Sequence, residues 1–241
     1  MRHNRKIGVV IPALNEEHAI GKVIADIPKW VDQIVVVDNG SRDRTADVAR
    51  AHGATAIKET ERGYGAACQT GLAAISDAEI IVFLDGDYSD YPDEMAAIVD
   101  PILAGECDFV IGSRRGAGVR QGALTPQQRF GNWLACRLMR LIWRTDYTDL
   151  GPFRAIDATA LRRLGMRDRN YGWTIEMQIK AALADLRIRE VEVGYRPRIG
   201  LSKVSGTVRG SIGAGTKILG TIARFAFTPP PSAPDVSRPI R

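Results

Sequence analysis

The sequence has little cysteine and histidine and no long hydrophobic run. It holds three cysteines and three histidines in 241 residues, and Cys68, Cys107 and Cys136 form no CxxC pair. This spacing excludes a disulfide framework and a cysteine-rich zinc site as sequence signals. Uncharged apolar stretches fall short of the roughly 18–20 residues that a membrane-spanning helix needs. Pro12 interrupts the apolar run Ile7–Leu14, and no small-residue cleavage site follows, so we predict no signal peptide.

Several nucleotide-binding and nucleic-acid-binding motifs are absent as well. No G-x-G-x-x-G follows the first predicted strand, which disfavours a nicotinamide enzyme. The stretch Glu61–Ala67 resembles an anion-cradling glycine loop but lacks the Gly-Lys-Ser/Thr of a P-loop. The acidic Asn15-Glu16-Glu17 stands where a nucleotidyltransferase would usually carry a glycine-rich basic loop. No basic strand with interleaved aromatic residues occurs, so we expect no nucleic-acid partner.

Charge is divided unevenly along the chain. Residues 1–110 carry 10 basic and 19 acidic side chains, a net charge of −9. Residues 111–241 carry 23 basic and 9 acidic side chains, a net charge of +14, and no acid lies between Glu192 and Asp235. Such a basic half indicates an anionic partner, such as a phosphorylated ligand or an acidic lipid, or else a solvated basic face.

Short apolar runs alternate with helical stretches over the first 110 residues. We predict strands at Ile7–Ile11, Ile34–Val37, Thr55–Lys58, Ile80–Leu84 and Phe109–Ile111, and helices at Glu17–Ile27, Thr45–His52, Ala66–Ile75 and Pro92–Leu103. This alternation predicts an α/β fold with a mostly parallel, Rossmann-like sheet and helices on both faces. Further along we predict helices at Gln127–Trp143 and Thr174–Ala184 and a last strand at Leu186–Tyr195. The segment Val208–Phe227 is basic and weakly amphipathic, and its glycines disfavour a helix.

Polar loops follow four of the predicted strands. They are Pro12–Glu16, Asp38–Asp43, Asp85–Asp87 and Gly112–Arg115. In open α/β sheets ligands bind beyond the carboxyl ends of the strands, which is where these loops lie. A single acidic loop could be a helix cap, since Asp and Ser are favoured there. Four polar loops on one edge instead predict a shared site.

The strongest chemical signal in these loops is Asp85-Gly86-Asp87. Two carboxylates one residue apart at a strand end can reach one divalent cation, and such hard oxygen ligands suit Mg²⁺ or Mn²⁺ together with substrate phosphates. An ordinary acidic turn is the alternative, but the position after a central strand and the basic half downstream favour the metal. Asp38 is a candidate for binding a nucleobase or ribose, with a turn or a helix cap as its alternative.

Several motifs also occur in a characteristic order. They are Val10–Glu17, Val36–Thr45, Arg62–Gly65, Phe83–Asp87, Asp149–Arg154, Tyr171–Glu176 and Arg198–Lys203. Together they resemble the motifs of family 2 glycosyltransferases with the GT-A fold, most of all the polyprenyl-phosphate sugar synthases. The resemblance extends from Ile7 to about Lys203. Two departures are Asn39, where the family has a second Asp in DDGSxDxT, and Ser89, where those synthases carry Gln or Asn.

The resemblance implies a metal-dependent inverting transfer of a sugar from a UDP- or GDP-linked donor to a polyprenyl phosphate. It assigns Asp85 and Asp87 to a Mg²⁺ or Mn²⁺ ion on the donor diphosphate. It assigns the nucleotide sugar to Pro12, Ala13, Asn15, Glu16, Asp38, Asp85, Arg114, Arg129, Arg198, Ser202 and Lys203. Metal and arginines would stabilise the negative charge that develops on the leaving diphosphate.

The acceptor decides whether a general base is needed. A lipid phosphate is already ionised near neutral pH, and the remaining arginines would hold this second anion. A hydroxyl acceptor requires a carboxylate base, for which Asp149 is our first candidate and Glu176 our second. Asp87 of the metal site is the third residue that we assign to catalysis. The alternative for Asp149 and Glu176 is a structural carboxylate paired with arginine.

We divide the chain into a nucleotide-sugar-binding half at 1–112, an acceptor-side half of the same domain at 113–205, a basic amphipathic segment at 206–227 and a disordered tail at 228–241. The segment 206–227 either lies on an anionic membrane or docks onto the core or a partner helix. We expect a cytoplasmic protein, and peripheral binding at the inner face of the membrane is an alternative that stays open. A membrane protein or a second copy of the chain are further candidate partners. Two other functions stay open: a soluble glycosyltransferase with a sugar or small hydroxyl acceptor, and a non-catalytic sugar-nucleotide-binding protein.

Overall fold

A seven-stranded sheet lies at the centre of the computed structural model, which describes residues 1–200 and 208–228. The strands are β1 Ile7–Ala13, β2 Gln33–Asp38, β3 Thr55–Lys58, β4 Ile80–Phe83, β5 Phe109–Ser113, β6 Arg154–Asp157 and β7 Ile188–Glu192. Their order across the sheet is β3-β2-β1-β4-β6-β5-β7. Every pairing is parallel except those of β6 with β4 and β5. The predicted α/β fold with a mostly parallel sheet is confirmed.

Helices cover both faces of the sheet, as predicted. They are α1 Ile20–Asp26, α2 Thr45–Ala51, α3 Tyr64–Ala74, α4 Met95–Leu103, α5 Pro126–Trp143, α6 Ala158–Leu164, α7 Trp173–Leu183 and α8 Val208–Phe227. Because successive side chains of a strand point to opposite faces, each strand serves two cores. Ile80 and Val82 pack with α1, α2 and α4, whereas Ile81 and Phe83 pack with α3 and α5 to α8.

Two elements, β6 and α6, were not predicted from the sequence. Strand β6 is four residues long and has a charged residue at each end, so its apolar signal is weak. The Arg154 side chain is only 1% exposed and donates to the backbone carbonyl oxygens of Gly151 (2.9 Å) and Thr174 (3.1 Å). These contacts satisfy a charged side chain inside the protein, which sequence periodicity does not reveal.

Predicted boundaries differ from the observed ones where an element lies at the margin of the fold. The strand predicted at Leu186–Tyr195 is the shorter β7, which pairs with β5 alone. The helix predicted from Pro92 starts with a 3-10 turn at Pro92–Glu94, and α4 follows from Met95. Helix α1 begins at Ile20, three residues after the predicted start.

Helix α8 packs onto α5 and α7 of its own chain. Its residues Ile222 and Phe225 are buried in the same core as Phe83 and Trp173. Lys217 adds an ion pair, with its Nζ 2.9 Å from Asp168 Oδ2. The part of segment 206–227 that is described thus docks onto the core, which is one of the two alternatives predicted for it.

No helix within residues 1–200 and 208–228 is long and apolar enough to span a bilayer. Of the predicted tail 228–241, only Thr228 belongs to the described residues.

The segment 165–172 fixes the start of α3. The carbonyl oxygens of Asn170 and Arg169 accept hydrogen bonds from the backbone N–H groups of Gly65 (3.2 Å) and Ala66 (2.8 Å). These N–H groups are among those that an anion-cradling loop would direct at a ligand. They are used inside the protein, so the predicted cradle at Glu61–Ala67 is not open at these two positions.

Gly65→Ala tests this contact. A Cβ on Gly65 would lie 2.0 Å from the Asp168 carbonyl oxygen, so the two segments must separate. We expect the free energy of unfolding to fall by about 1–3 kcal/mol, as for other overpacked sites. Gly131→Ala is the control, because a Cβ there meets nothing within 4 Å in helix α5. It should leave stability unchanged or raise it by up to about 1 kcal/mol. Urea denaturation measures both, and equal effects of the two substitutions would contradict the packing argument.

Candidate active site

The loops that follow β1 and β2 are joined by side-chain hydrogen bonds. Asn15 N–H donates to Ser41 Oγ (2.9 Å), and Glu16 N–H donates to Thr45 Oγ1 (2.8 Å). Asp38 accepts from the backbone N–H of Ser41 (2.7 Å), which closes the turn after β2. The structure therefore brings Asn15, Glu16 and Asp38 together with Pro12 and Ala13 at the carboxyl end of the sheet.

The carboxylates of Asp85 and Asp87 follow β4 at the same edge. Tyr64 OH donates to Asp85 Oδ1 (3.1 Å), and both N–H and Oγ of Ser89 donate to Asp87 Oδ1. Arg198 lies over the pair: its Nη1 is 3.0 Å from Asp87 Oδ2, and its Nη2 is 2.8 Å from Glu16 Oε1. Four of the predicted residues thus lie together. We call this cluster, which consists of Glu16, Asp85, Asp87 and Arg198, the carboxylate group of the site.

The two aspartates of this group repel each other in a buried setting. Burial, together with the neighbouring Asp87, raises the pKa of Asp85 to about 7. Among the described residues, no set of three or more Asp, Glu, His or Cys side chains is arranged to hold a metal ion. A Mg²⁺ or Mn²⁺ ion fits such a pair of carboxylates when a bound phosphate and water supply the remaining oxygen ligands.

Asp90 is a site residue that the sequence analysis missed. Its side chain is 1% exposed, and neither carboxylate oxygen has a hydrogen-bond partner among the described residues. Burial raises the pKa of Asp90 well above its usual range, and the charges of Asp85 and Asp87 raise it further. The signal available in the sequence was a third Asp three positions after Asp87, in a stretch without helix or strand character.

A second ion pair lies beside the carboxylate group. Arg114 grips Asp149 through Nε and Nη2, each at 2.8 Å, and the Arg114 N–H also donates to it. Burial raises the pKa of Asp149, but the charge and hydrogen bonds of Arg114 lower it more, so it lies below its ordinary value. Both oxygens of the predicted base Asp149 are therefore engaged with Arg114 in this structure.

Glu176, the second candidate base, lies outside the group. Its side chain is fully buried in α7, where it accepts from the backbone N–H groups of Arg167 and Asp168. Lys180 Nζ is 2.7 Å from Glu176 Oε1 and completes a buried ion pair. These contacts hold the segment 165–172, so we do not count Glu176 among the candidate catalytic residues.

A cavity of about 840 Å³ opens between α5, α8 and the segment after β5. Its most numerous charged lining residues are arginines, namely Arg114, Arg115, Arg129, Arg137 and Arg140. Val119, Leu124, Trp133 and Ile218 supply apolar wall. Arg114 and Asp149 belong to this cavity and to the ion pair beside Asp90, so the cavity adjoins the carboxylate group.

The segment that carries Arg198 is held in place by an arginine between two tyrosines. The Arg196 guanidinium carbon lies 3.4 Å from the centre of the Tyr88 ring and 4.1 Å from that of Tyr91. Ile199 N–H also donates to the Asp87 carbonyl oxygen (2.9 Å). The next two predicted phosphate ligands, Ser202 and Lys203, lie outside the described residues.

Comparison with known proteins identifies the family. The family model described as "Glycosyl transferase family 2" matches residues 8–167. A protein of Mycobacterium tuberculosis named as an uncharacterized glycosyltransferase is 38% identical over 208 residues, which is 86% of this chain and 93% of that protein. A dolichyl-phosphate hexose transferase of Haloferax volcanii is 33% identical over 204 residues, covering 82% of this chain and 86% of that one.

A solved structure shares both the fold and part of the sequence. Glucosyl-3-phosphoglycerate synthase of Mycobacterium tuberculosis, in complex with Mn²⁺, UDP and glucosyl-3-phosphoglycerate, superposes with a TM-score of 0.77 at 26% identity. The match covers 94% of this chain and 81% of the synthase. This chain belongs to glycosyl transferase family 2, and its fold is the GT-A fold that the motifs predicted.

Asp149→Asn tests the importance of the Arg114–Asp149 pair. Removing one partner of a buried pair leaves Arg114 uncompensated, so we expect a loss of about 3–5 kcal/mol in the free energy of unfolding at pH 7. Because the folded-state pKa of Asp149 lies below its unfolded value of about 4, its contribution is present above that pH and is lost as the pH falls. The difference between wild type and variant should therefore shrink in acid.

The matched control is Asp146→Asn, which removes an exposed carboxylate paired with Arg140 at 3.0 Å. It should change stability little at any pH, since exposed ion pairs contribute little. Urea denaturation at pH 7 and below pH 4 measures both variants. If Asp149→Asn lowers the free energy of unfolding no more than the control does, the Arg114–Asp149 pair does not stabilise the fold as argued.

Proposed function

We propose that this family 2 glycosyltransferase moves a sugar from a UDP- or GDP-linked donor, with inversion and with Mn²⁺ or Mg²⁺, to the phosphate of a polyprenyl phosphate. The observation that carries the proposal is the arginine-lined cavity beside the Asp85–Asp87 carboxylates. The Asp85–Asp87 carboxylates are suited to a metal-bound diphosphate. The cavity beside them is suited to a second anion with an apolar body, because arginines and apolar side chains line its walls.

The donor would bind at the carboxyl ends of β1, β2 and β4. Pro12, Ala13, Asn15, Glu16 and Asp38 form the pocket for base and ribose in this proposal. Asp85 and Asp87 would hold the divalent ion, which neutralises the diphosphate when bound. The similar synthase was crystallised with Mn²⁺ and UDP, which supports this choice of ligands.

Arginines would then stabilise the leaving diphosphate as the glycosidic bond breaks. Arg198 is the nearest candidate, since its guanidinium already lies against Asp87 and Glu16. Its Nε has no hydrogen-bond partner among the described residues, so a donor hydrogen is available. Asp149 would act as a positioning residue, since it fixes the guanidinium of Arg114 towards the carboxylate group. Arg129, which lines the cavity, would meet the acceptor phosphate or the donor.

A phosphate acceptor agrees with the state of the two predicted bases. Asp149 is held by Arg114 and Glu176 by Lys180, so neither is set up to take a proton from a hydroxyl group. A phosphate monoester is already ionised near neutral pH and needs little base. The similarity to a dolichyl-phosphate hexose transferase supports the same acceptor class.

The solved structure favours a second candidate, transfer to the hydroxyl group of a small phosphorylated molecule. The similar synthase was captured with glucosyl-3-phosphoglycerate, and arginines of the cavity would suit such an acid as well. This reaction needs a base within hydrogen-bond reach of the hydroxyl. Asp90, whose oxygens lack partners among the described residues, would be the candidate for that role.

A panel of donors and acceptors decides between these functions. The protein is incubated with Mn²⁺ and radiolabelled UDP- and GDP-sugars, and with polyprenyl phosphate in detergent, phosphoglycerate, or no acceptor. We expect label in the polyprenyl product and no transfer to phosphoglycerate. Transfer to phosphoglycerate alone would support the second candidate. Donor binding without transfer or hydrolysis would contradict both and favour a sugar-nucleotide-binding protein.

Asp87→Ala serves as the loss-of-function control in this panel, and it should abolish transfer and metal-dependent nucleotide binding. Asp93→Ala is the matched variant, since Asp93 is an exposed acid six positions along the same segment. It should behave as wild type. Calorimetry that shows unchanged metal-dependent nucleotide affinity in folded Asp87→Ala would contradict the metal assignment.

Arg198 offers a test with two opposite readouts. If Arg198 leaves Asp87 for the donor diphosphate, Arg198→Gln should weaken nucleotide-sugar binding in Mn²⁺ by about tenfold or more, since a charge-assisted contact contributes roughly 1.5–3 kcal/mol. The same change removes a cation from Asp87, so Mn²⁺ alone should bind about fivefold more tightly. Arg198→Lys should lose part of the nucleotide-sugar affinity, because lysine lacks the two-pronged guanidinium.

Calorimetry and Mn²⁺ electron paramagnetic resonance measure the two affinities separately. Arg50→Gln is the charge control, since among the ion pairs of the described residues Arg50 takes part only in that with the exposed Asp47 on α2. Wild-type affinity of Arg198→Gln for both ligands would exclude the proposal that Arg198 moves from Asp87 to the donor diphosphate.

A further inference from the structure

Helix α5 exposes large apolar side chains to solvent. Phe130, Trp133 and Leu141 are 61%, 58% and 79% exposed. Its opposite side, with Ala135, Cys136 and Met139, is buried in the core. A helix that has already buried one apolar side and still presents another is unusual for a soluble surface, where large contiguous apolar patches mark interaction sites.

The exposed residues lie on one stripe. Phe130, Trp133, Arg137, Leu141 and Arg144 follow each other at spacings of three or four, which places them along one side of a helix with 3.6 residues per turn. The rings of Phe130 and Trp133 are in contact, with centroids 5.9 Å apart. We call these five residues the outer face of α5.

The outer face is also basic. Helix α5 contains no acidic residue, and Arg129, Arg137 and Arg144 are exposed. Within the described residues no ion pair involves any of these three arginines, whereas the neighbouring Arg140 pairs with Asp146. Aromatic and aliphatic side chains flanked by free guanidinium groups are the composition of helices that lie in the headgroup layer of a membrane.

We propose that the outer face of α5 docks onto an anionic lipid bilayer. Charge decides between this occupant and a second copy of the chain. A symmetric dimer through this face would bring the same arginines of two protomers together, and like charges at an interface are repulsive. Acidic headgroups supply the opposite charge, while Phe130, Trp133 and Leu141 enter the acyl boundary.

The docked orientation has a consequence that rests on the proposed function. Arg129, Trp133 and Arg137 line the cavity and also lie on or beside the outer face of α5. Docking therefore puts the cavity entrance at the depth of lipid phosphate groups. A polyprenyl phosphate could reach the arginines without leaving the bilayer. The docking itself does not depend on the identity of the acceptor.

Vesicle flotation tests the surface without any acceptor. The full-length protein is mixed with vesicles of phosphatidylcholine alone, or with phosphatidylglycerol added, at low and high salt. We expect binding to anionic vesicles at low salt and much weaker binding at high salt or to neutral vesicles, because exposed charges are screened within a Debye length. Absence of binding to anionic vesicles at low salt would overturn the proposal.

The variants assign the binding to α5. Phe130→Ser with Leu141→Ser removes apolar contacts at two positions that do not line the cavity, and should lower vesicle affinity about tenfold or more. Arg144→Glu should lower it by a similar factor. Arg163→Glu, an exposed arginine on α6, is the charge control and should bind as wild type. Wild-type affinity of the Phe130–Leu141 double variant would overturn the proposal.

Two further measurements test α8 as the membrane surface and a second copy of the chain as the occupant. Leu219→Ser with Phe227→Ser changes the exposed apolar residues of α8, and loss of vesicle binding there but not in the α5 variant would place the membrane surface on α8 instead. Sedimentation without vesicles detects a dimer that the Phe130–Leu141 variant breaks, which would make a second copy the occupant.

Metal-dependent nucleotide binding is measured in every variant. If it is intact while vesicle binding is lost, the surface is separate from the donor site; if it is absent in wild type, the proposed function fails while the docking result stands.

Discussion

Negative charge gathered at the carboxyl ends of the parallel strands is the constraint on which the rest of the structure depends. Asp85, Asp87 and Asp90 lie close enough that burial and mutual repulsion raise the pKa values of Asp85 and Asp90. The first half of the chain, which carries these acids, has a net charge of −9 over residues 1–110. Arg114 and Arg198, both from the second half, supply the opposing charge. Arg114 and Arg198 therefore bring positive charge from the second half of the chain to the acidic loops of the first half.

The antiparallel strand β6 makes this arrangement geometrically feasible. It is inserted between β4 and β5, so the loop after β4 and the loop after β5 are separated by the width of two strand pairings. The same stretch of chain delivers Asp149 just before β6, and Asp149 takes hold of Arg114 at the end of β5. Arg154 then anchors β6 through backbone carbonyl oxygens. The spacing between the loop after β4 and the loop after β5 is thus set by a strand with almost no sequence signature.

The sequence predicted those features that depend on local patterns. Buried runs such as Ile80–Leu84 identified the strands, and Asp85-Gly86-Asp87 stood out because two carboxylates follow a strand end. Features that arise from contacts between distant segments were not accessible. The burial of Arg154 depends on the carbonyl oxygens around it, whereas the sequence alone predicts that a charged residue at that position is exposed. Glu176 was placed near the chemistry because a family motif surrounds it, but Lys180, one helical turn away, engages it in the interior. Asp90 lacks a pattern of its own, and only its surroundings distinguish it.

The segment 165–172 has a consequence for how this chain can vary in length. Lys180 binds the Gly165 carbonyl oxygen, Glu176 holds the N–H groups of Arg167 and Asp168, and Asp168 accepts from Gly172 N–H. With α3 seated on its carbonyl oxygens, the segment has no slack for an insertion or a deletion. Residues 115–125, which form part of the cavity wall, are tied to a distant segment mainly at Gly118 and Arg120, which hydrogen-bond the backbone of Tyr195. Length changes during divergence would therefore be easier to accommodate in this part of the cavity wall, where they alter the shape of the cavity, than in the segment 165–172.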